Sequence, residues 1–383
     1  MIAMQETGSP SATFAKYSDK IRANKKETKH MQGKMLGATL PGNSTVAFKE
    51  YDIPTPGHGQ VLVKTKCTTI CGSDIRCIYR EHVGKGPEGY QGVIAGHEPC
   101  GIIAEEGPGL RRFKKGDRVI IYHISGCGVC HDCRQGFMIS CSSPLRAAYG
   151  WQRDGGMAEY ILCDEKDLVA LPDQLTYADG AQVACGFGTV YEAIEKIGVS
   201  GNDAVLVVGL GPVGLAALML CKAMGANKLI GIEMQPSRIE LAKKLGLADH
   251  VFTPSEENVR QVKEVTGGFG VEKAIDCSAS DPGRATAVRA TRQWGKIAFV
   301  GEGGTVHFNP SPDMLHDQKT IYGSWVTSIW KMEDLVERLV RWSIHPEDLV
   351  THRFPLDKAD EAYALMASGA CGKVAVCFDE ELK

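Results

Sequence analysis

Residues 204–233 restrict the fold more than any other stretch of the chain. Ala204-Val-Leu-Val-Val208 is an apolar, β-branched run suited to a strand buried on both faces. It leads into Gly209-Leu210-Gly211-Pro212-Val213-Gly214 and then into a leucine- and alanine-rich segment, residues 215–224, that reads as a helix. Each glycine has a steric task in such a turn: Gly209 reverses the chain, Gly211 admits a pyrophosphate, and Gly214 lets the helix sit on the strand. Pro212 falls in the first helical turn, where a missing amide costs nothing. Phosphates would be held there by free amides and by the positive end of the helix dipole. A second apolar run, residues 228–232, ends at Glu233, nineteen residues beyond Gly214, where an acid would bond the ribose hydroxyls of an adenosine. A glycine motif alone says little. One that follows a strand, opens a helix and is answered by an acid at this distance predicts a dinucleotide site. Residues 204–221 also form an uncharged run of eighteen, long enough to suggest a membrane span. Three glycines and a proline at its middle predict the globular alternative.

Strand-like runs recur after this unit at residues 250–252, 271–276, 295–300 and 320–323, with amphipathic segments such as 237–245 between them. That alternation predicts an α/β fold with a doubly wound parallel sheet. Before it, short runs at 45–48, 60–66, 101–104 and 117–122, punctuated by Gly and Pro, predict a compact antiparallel β domain. The tail from residue 331 reads as one helix and two short strands, 349–352 and 373–377, returning to the first domain. The expected division is an extension over 1–30, a catalytic domain over 31–186, a nucleotide domain over 187–325 and the returning tail over 326–383. The extension has six Lys or Arg against three acids and few large apolar residues, so disorder is expected there in preference to a targeting peptide.

Composition excludes some partners. A formal charge of −3 gives no electrostatic case for nucleic acid or an anionic membrane. Fourteen cysteines in a long chain, four of them crowded into residues 127–141, favour metal thiolates in a reducing compartment over a disulfide framework. A cytoplasmic protein is the expectation.

Cys127-x2-Cys130-x2-Cys133-x7-Cys141 places four thiolates in fifteen residues, with Gly126, Gly128 and Gly136 supplying turns. Four sulfurs with no imidazole or water suit a closed tetrahedral structural zinc. An iron–sulfur cluster also takes four thiolates, but the intervening residues are charged and polar, and nothing else suggests electron transfer. His131, inside this lobe, reads as solvent-facing. A second set is dispersed: Cys71 in Cys-Gly-Ser-Asp, His97 and Glu98 in Gly-His-Glu, and Cys185 in Ala-Cys-Gly-Phe-Gly-Thr. Each alone is unremarkable. As a set, two thiolates and one imidazole leave the fourth position of a tetrahedral zinc open to water or substrate.

On Gly96-His97-Glu98, the four-cysteine lobe, Cys71, the Ala-Cys-Gly-Phe segment and Gly-Leu-Gly-Pro-Val-Gly, residues 35–381 resemble the zinc-containing alcohol dehydrogenases of the medium-chain dehydrogenase/reductase family. The resemblance implies a GroES-like β-rich catalytic domain, a Rossmann coenzyme domain, and a homo-oligomer, dimer or tetramer. It implies NAD and two Zn2+ per chain, one catalytic and one structural. Cys71, His97 and Cys185 would bind the catalytic zinc, with Glu98 behind them. Ser73 would bond the alcohol oxygen and begin a proton relay. Thr189 and Val213 would flank the nicotinamide, and Arg238 would lie near the adenosine. Zinc would lower the pKa of a bound alcohol, as it does that of water.

Three departures bear on the substrate. Many members end the relay in a histidine where this chain has Arg76, which cannot shuttle protons. Polyol and threonine dehydrogenases usually carry a glutamate where this chain has Ala184, although Cys-Gly-Ser-Asp looks like their branch. His123 stands where many alcohol dehydrogenases have a large apolar wall, and it reads equally as a polar substrate contact or as a backbone-bonded ring. The expected reaction is oxidation of a secondary alcohol in a polyol or sugar-like molecule. Simple aliphatic or aromatic alcohols are the alternative, and a 3-hydroxy amino acid such as threonine is the third. A non-enzymatic nucleotide- and zinc-binding protein is disfavoured by the intact Cys71, Ser73, His97 and Cys185.

Overall fold

The computed structural model describes residues 30–84 and 88–382, so nearly all of the extension expected over 1–30 lies outside the described residues. The nucleotide half is a six-stranded sheet, parallel throughout, in the order His250–Phe252, Lys228–Ile232, Ala204–Val208, Val271–Asp276, Thr291–Phe299, Thr320–Gly323. Every residue of Ala204–Val208 is buried, each large apolar side chain contributing roughly 1.5–3 kcal/mol. Strand order reverses beside it, which opens a crevice at the carboxyl ends of the strands. The helix Pro212–Ala223 starts in that crevice and is buried from Gly214 to Cys221. Its apolar residues run all round the helix, as a buried helix requires. The strand expected at 295–300 instead begins at Thr291, and Trp294 takes a positive φ of 62° beside a register shift in the ladder. Such an irregularity interrupts the alternation by which a strand is read.

The other half is antiparallel except that Val350–Phe354 runs parallel to Lys373–Cys377. A hairpin pairs Lys34–Gly42 with Thr45–Asp52, and its two-residue loop, Asn43 and Ser44, has φ of 51° and 57°, the left-handed pair that matches strand twist. The main sheet runs Val350–Phe354, Lys373–Cys377, Gln60–Thr69, Pro99–Glu106, Arg118–Ile121, Leu168–Ala170, and Tyr160–Asp164 also pairs with Gln60–Thr69. The C-terminal strand thus lies beside Gln60–Thr69, with Cys377 opposite Cys67. The tail holds two helices, Ile329–Trp342 and Ala359–Ser368, where one was expected. The second was legible, since its buried residues Ala359, Ala362, Tyr363 and Met366 follow helical spacing. Among the described residues no helix is long and apolar enough to cross a membrane.

Candidate active site

Four residues from three parts of the chain converge between the two halves. The ligand atoms of Cys71, His97, Glu98 and Cys185 all lie within 4.8 Å of one another. Cys71 precedes the short helix Gly72–Asp74. Cys185 lies in the π-helical turn Val183–Phe187, a widened turn that recurs at functional sites. Asp74, buried completely, organises the group: its Oδ2 accepts the Cys71 amide at 2.9 Å and its Oδ1 lies 2.8 Å from His97 Nδ1. That bond leaves His97 Nε2 for a metal, the arrangement by which a carboxylate orients a ligating imidazole. The neighbouring Cys185 thiol draws Cys71 well below the usual thiol range, and His97 adds to the effect against burial.

Glu98 is wholly buried behind this set. Its Oε2 accepts from Thr69 Oγ1 at 2.6 Å and lies 2.5 Å from Lys373 Nζ, an ion pair without a well-angled hydrogen bond. Its Oε1 has no partner among the described residues. An orphaned carboxylate oxygen beside two thiols and an imidazole is costly unless a cation faces it, so the residues present fit zinc. Burial pushes the Glu98 carboxyl up to about 7, against the opposing pull of Lys373.

The Sγ atoms of Cys127, Cys130, Cys133 and Cys141 also lie within 4.8 Å of one another. Four sulfurs at the usual zinc–sulfur distance stand about 3.8 Å apart, so this lobe fits a closed tetrahedral ion. Backbone amides of Val129 and Cys130 bring Cys127 down to about 6. A side chain at Gly126 would come within 2.6 Å of the Cys133 sulfur. His131 points to solvent, with 83% of its side chain exposed. None of the fourteen cysteines is in a disulfide.

The glycine loop has the shape of a phosphate cradle. Gly209 has φ of 85°, and a Cβ there would strike the Ser278 backbone at 2.8 Å. A Cβ on Gly214 would stand 1.9 Å from the Gly209 carbonyl. At Gly211 a Cβ would meet only Arg238 Nη1, at 3.7 Å, so a ligand can approach the backbone closely at the head of the helix that begins with Pro212. Arg238 is anchored by its Nε on the Cys371 carbonyl, 3.1 Å away, which puts its charge beside this loop. Glu233 is more occupied than the sequence implies. Its Oε2 accepts the Leu210 amide and its Oε1 accepts those of Met234 and Gln235, at 2.7–2.9 Å. It braces the loop, which leaves only its remaining lone pairs for any ligand.

A cavity of about 410 Å³ joins the two sites. Its walls include Cys71, His97 and Cys185, the Ser73 hydroxyl, Thr189 and Val213 on the nucleotide side, and Trp151 and Trp325. Ser73 has no hydrogen-bond partner among the described residues and is free to meet a substrate oxygen. His123 shares this wall, with its ring centroid 5.2 Å from that of His97. Its Nδ1 donates to the Ala184 carbonyl at 2.8 Å, which fixes a neutral tautomer with Nε2 as acceptor. Burial, together with the His97 charge, lowers its pKa to about 3. Asp74, Lys373 and Trp151 escaped the sequence reading. Lys373 was the findable one, as a lysine opening the apolar run Lys-Val-Ala-Val-Cys.

Comparison with known proteins gives the family. Residues 57–173 match the family model for an alcohol dehydrogenase GroES-like domain, and residues 212–341 that for a zinc-binding dehydrogenase. The chain is 52% identical over 351 residues to the zinc-type alcohol dehydrogenase-like protein YphC of Escherichia coli K12, covering 90% of this chain and 99% of that one. It is 32% identical to an L-threonine 3-dehydrogenase of Pyrococcus horikoshii, over 88% and 96% of the two chains. It is 31% identical to a sorbitol dehydrogenase of Halalkalibacterium halodurans, over 89% and 98%. A zinc-binding dehydrogenase structure from Sinorhizobium meliloti bound to NADP superposes with TM-score 0.81 at 25% identity, over 91% of this chain and 100% of that one. An alcohol dehydrogenase structure from E. coli CFT073 complexed with NADH superposes with TM-score 0.80 at 26% identity, over 90% and 100%.

Proposed function

The chain belongs to the zinc-type alcohol dehydrogenases, and from that premise we propose that it transfers hydride between NAD and the secondary alcohol of a polyol or sugar-like molecule. The observation that carries the substrate class is the cavity wall. Beyond Cys71, His97 and Cys185 it presents Arg76, Glu88, Arg146 and Glu302 alongside the two tryptophans. A pocket built for a simple alcohol has no use for so many donors and acceptors, whereas each hydroxyl of a polyol needs a partner once desolvated.

Cys71, His97 and Cys185 would hold the catalytic zinc, and Cys127, Cys130, Cys133 and Cys141 a structural one, giving two per chain. When bound, the catalytic ion supplies Lewis-acid polarisation of the substrate oxygen. Asp74 keeps the His97 ring aimed and Lys373 keeps the Glu98 carboxylate in place. Ser73 accepts the substrate hydroxyl proton and passes it toward solvent, because Arg76 cannot relay it. His123 offers Nε2 as an acceptor to a second substrate hydroxyl. Thr189 and Val213 shape the nicotinamide side, and Gly209, Gly211, Pro212 and Gly214 the phosphate side. Glu233 disfavours a 2′-phosphate by its charge, which supports NAD over NADP. Fourteen cysteines without a disulfide support a reducing cytoplasm. The open edge of Thr320–Gly323 at the end of its sheet supports a homo-oligomer, dimer or tetramer.

The test is a panel of initial rates with NAD. Polyols are expected to exceed simple aliphatic and aromatic alcohols at least tenfold in kcat/KM. Equal or better efficiency with simple alcohols would overturn the reading. Oxidation of a 3-hydroxy amino acid is the second reading, supported by the threonine dehydrogenase relative, and threonine in the same panel decides it.

A further inference from the structure

We propose that Arg146 reads an anionic group, a phosphate or a carboxylate, on the part of the substrate away from the reacting carbon, and that Glu88 holds that anion's place in the free enzyme. This rests on the polyol reading and narrows it to acidic polyol derivatives.

Arg146 precedes the strand Ala147–Ala148, which pairs with Ile124–Ser125 next to His123, so its backbone is fixed along the cleft wall. Its side chain is only 14% exposed, yet it lines the same cavity as Cys71, Ser73 and His97. A guanidinium does not shed its charge, so burying one is costly unless its donors are used. Among the described residues only two are: Nε donates to the Ile139 carbonyl at 3.0 Å, and Nη1 to Glu88 Oε2 at 2.9 Å. The first bond fixes the plane of the fork.

The second bond is easily exchanged. The Glu88 side chain is 75% exposed, and an ion pair with so exposed a partner holds weakly. Turning that carboxylate into water leaves Nη1 and the unused donors for two oxygens of a ligand, the bidentate geometry guanidinium provides for carboxylates and phosphates. The Glu88 backbone stays in place meanwhile, since Gln152 Nε2 donates to its carbonyl at 3.1 Å. Arg76 lines the same cavity but is exposed and has no fixed acceptor among the described residues. It lacks the orientation that would discriminate.

The experiment compares kcat/KM with NAD for matched pairs: sorbitol against sorbitol 6-phosphate, and against gluconate for the carboxylate. The acidic member of at least one pair is expected to be preferred tenfold or more, and which pair shows it identifies the anion. Arg146→Gln should bring that ratio to within about threefold of one, since a charge-assisted bidentate contact is worth roughly 10- to 100-fold. Glu88→Gln should raise the ratio, because it removes the competing carboxylate. Arg146→Lys, which keeps the charge and loses the fork, should fall between. It also serves should Arg146→Gln fail to fold. Equal use of neutral and acidic members by the wild type overturns the proposal, as does an Arg146→Gln that slows both alike with the ratio unchanged, the behaviour of a strut. Calorimetric titration of inorganic phosphate into the holoenzyme adds a readout independent of turnover, with binding weakened at least tenfold in Arg146→Gln. If no polyol, neutral or acidic, is turned over, the proposed reaction fails, and the titration alone decides Arg146.

Discussion

Glu233 accepts the backbone amide of Leu210 at 2.7 Å, so the acid proposed to select the cofactor also holds the glycine loop in shape. Affinity and loop geometry are therefore coupled in one side chain. Replacing it affects more than the ribose contacts.

Glu233→Ser is expected to raise the KM for NAD at least tenfold and to narrow the preference over NADP, because repulsion and favourable bonds go together. Thermal stability should also fall by a few degrees, as three backbone amides lose their acceptor. Steady-state kinetics with both cofactors and a melting curve check this. Equal catalytic efficiency of the wild type with NAD and NADP would refute the selectivity argument.

Elemental analysis should find two zinc ions per chain. Cys130→Ser should retain about one and melt at lower temperature, since a closed thiolate site contributes folding free energy. Cys71→Ser should fold and keep the lobe ion while losing activity by several orders of magnitude. A protein holding a single zinc that survives disruption of residues 127–141 would contradict the two-site assignment.

The bond from His123 Nδ1 to the Ala184 carbonyl makes this ring a fixed acceptor. His123→Phe should therefore penalise polyols at least tenfold more than simple alcohols. Uniform loss across both classes, with zinc content unchanged, would mean that His123 relays protons instead. Arg76→His should add an inflection near pH 6.5 to the pH–rate profile, which the wild type should lack.

Asp164 ties the strand Tyr160–Asp164 to Gln60 and Arg153, both at 2.9 Å. Burial works against its charge, but the Gln60 amide, Arg153 and Lys166 outweigh it and hold the carboxyl down at about 2. A depressed folded-state pKa adds stability that is fully present above the unfolded value near 4 and is lost as pH falls through 2. Asp164→Asn should accordingly be less stable by about 2 kcal/mol at pH 7, with the gap closing between pH 4 and 2. Urea midpoints for both proteins across that range measure it, and a gap independent of pH would dispose of the charge argument.

What the sequence determined by itself is what is written within a few dozen residues. Ala204–Val208, the glycine loop, Lys228–Ile232 and Glu233 form one contiguous unit, and the observed strands match the expected ones to the residue. The four-cysteine lobe spans fifteen positions, so its spacing alone brings the sulfurs together. The gathering of Cys71, His97 and Cys185 was legible only as a set of residue types, because chemistry restricts what two thiolates and an imidazole are for. Tertiary structure decided everything that depends on which distant strands become neighbours. Lys373 meets Glu98 because the C-terminal strand pairs with Gln60–Thr69, which in turn pairs with Pro99–Glu106. Asp74 meets His97 across twenty-three residues, and Arg146 enters the cleft because Ala147–Ala148 pairs with Ile124–Ser125. Buried charges of this kind leave no periodic trace in the sequence, since their partners are fixed by packing and by the cost of leaving a desolvated ion unpaired. The same cost fixes Glu233 on the loop amides, a role that its distance from Gly214 does not reveal.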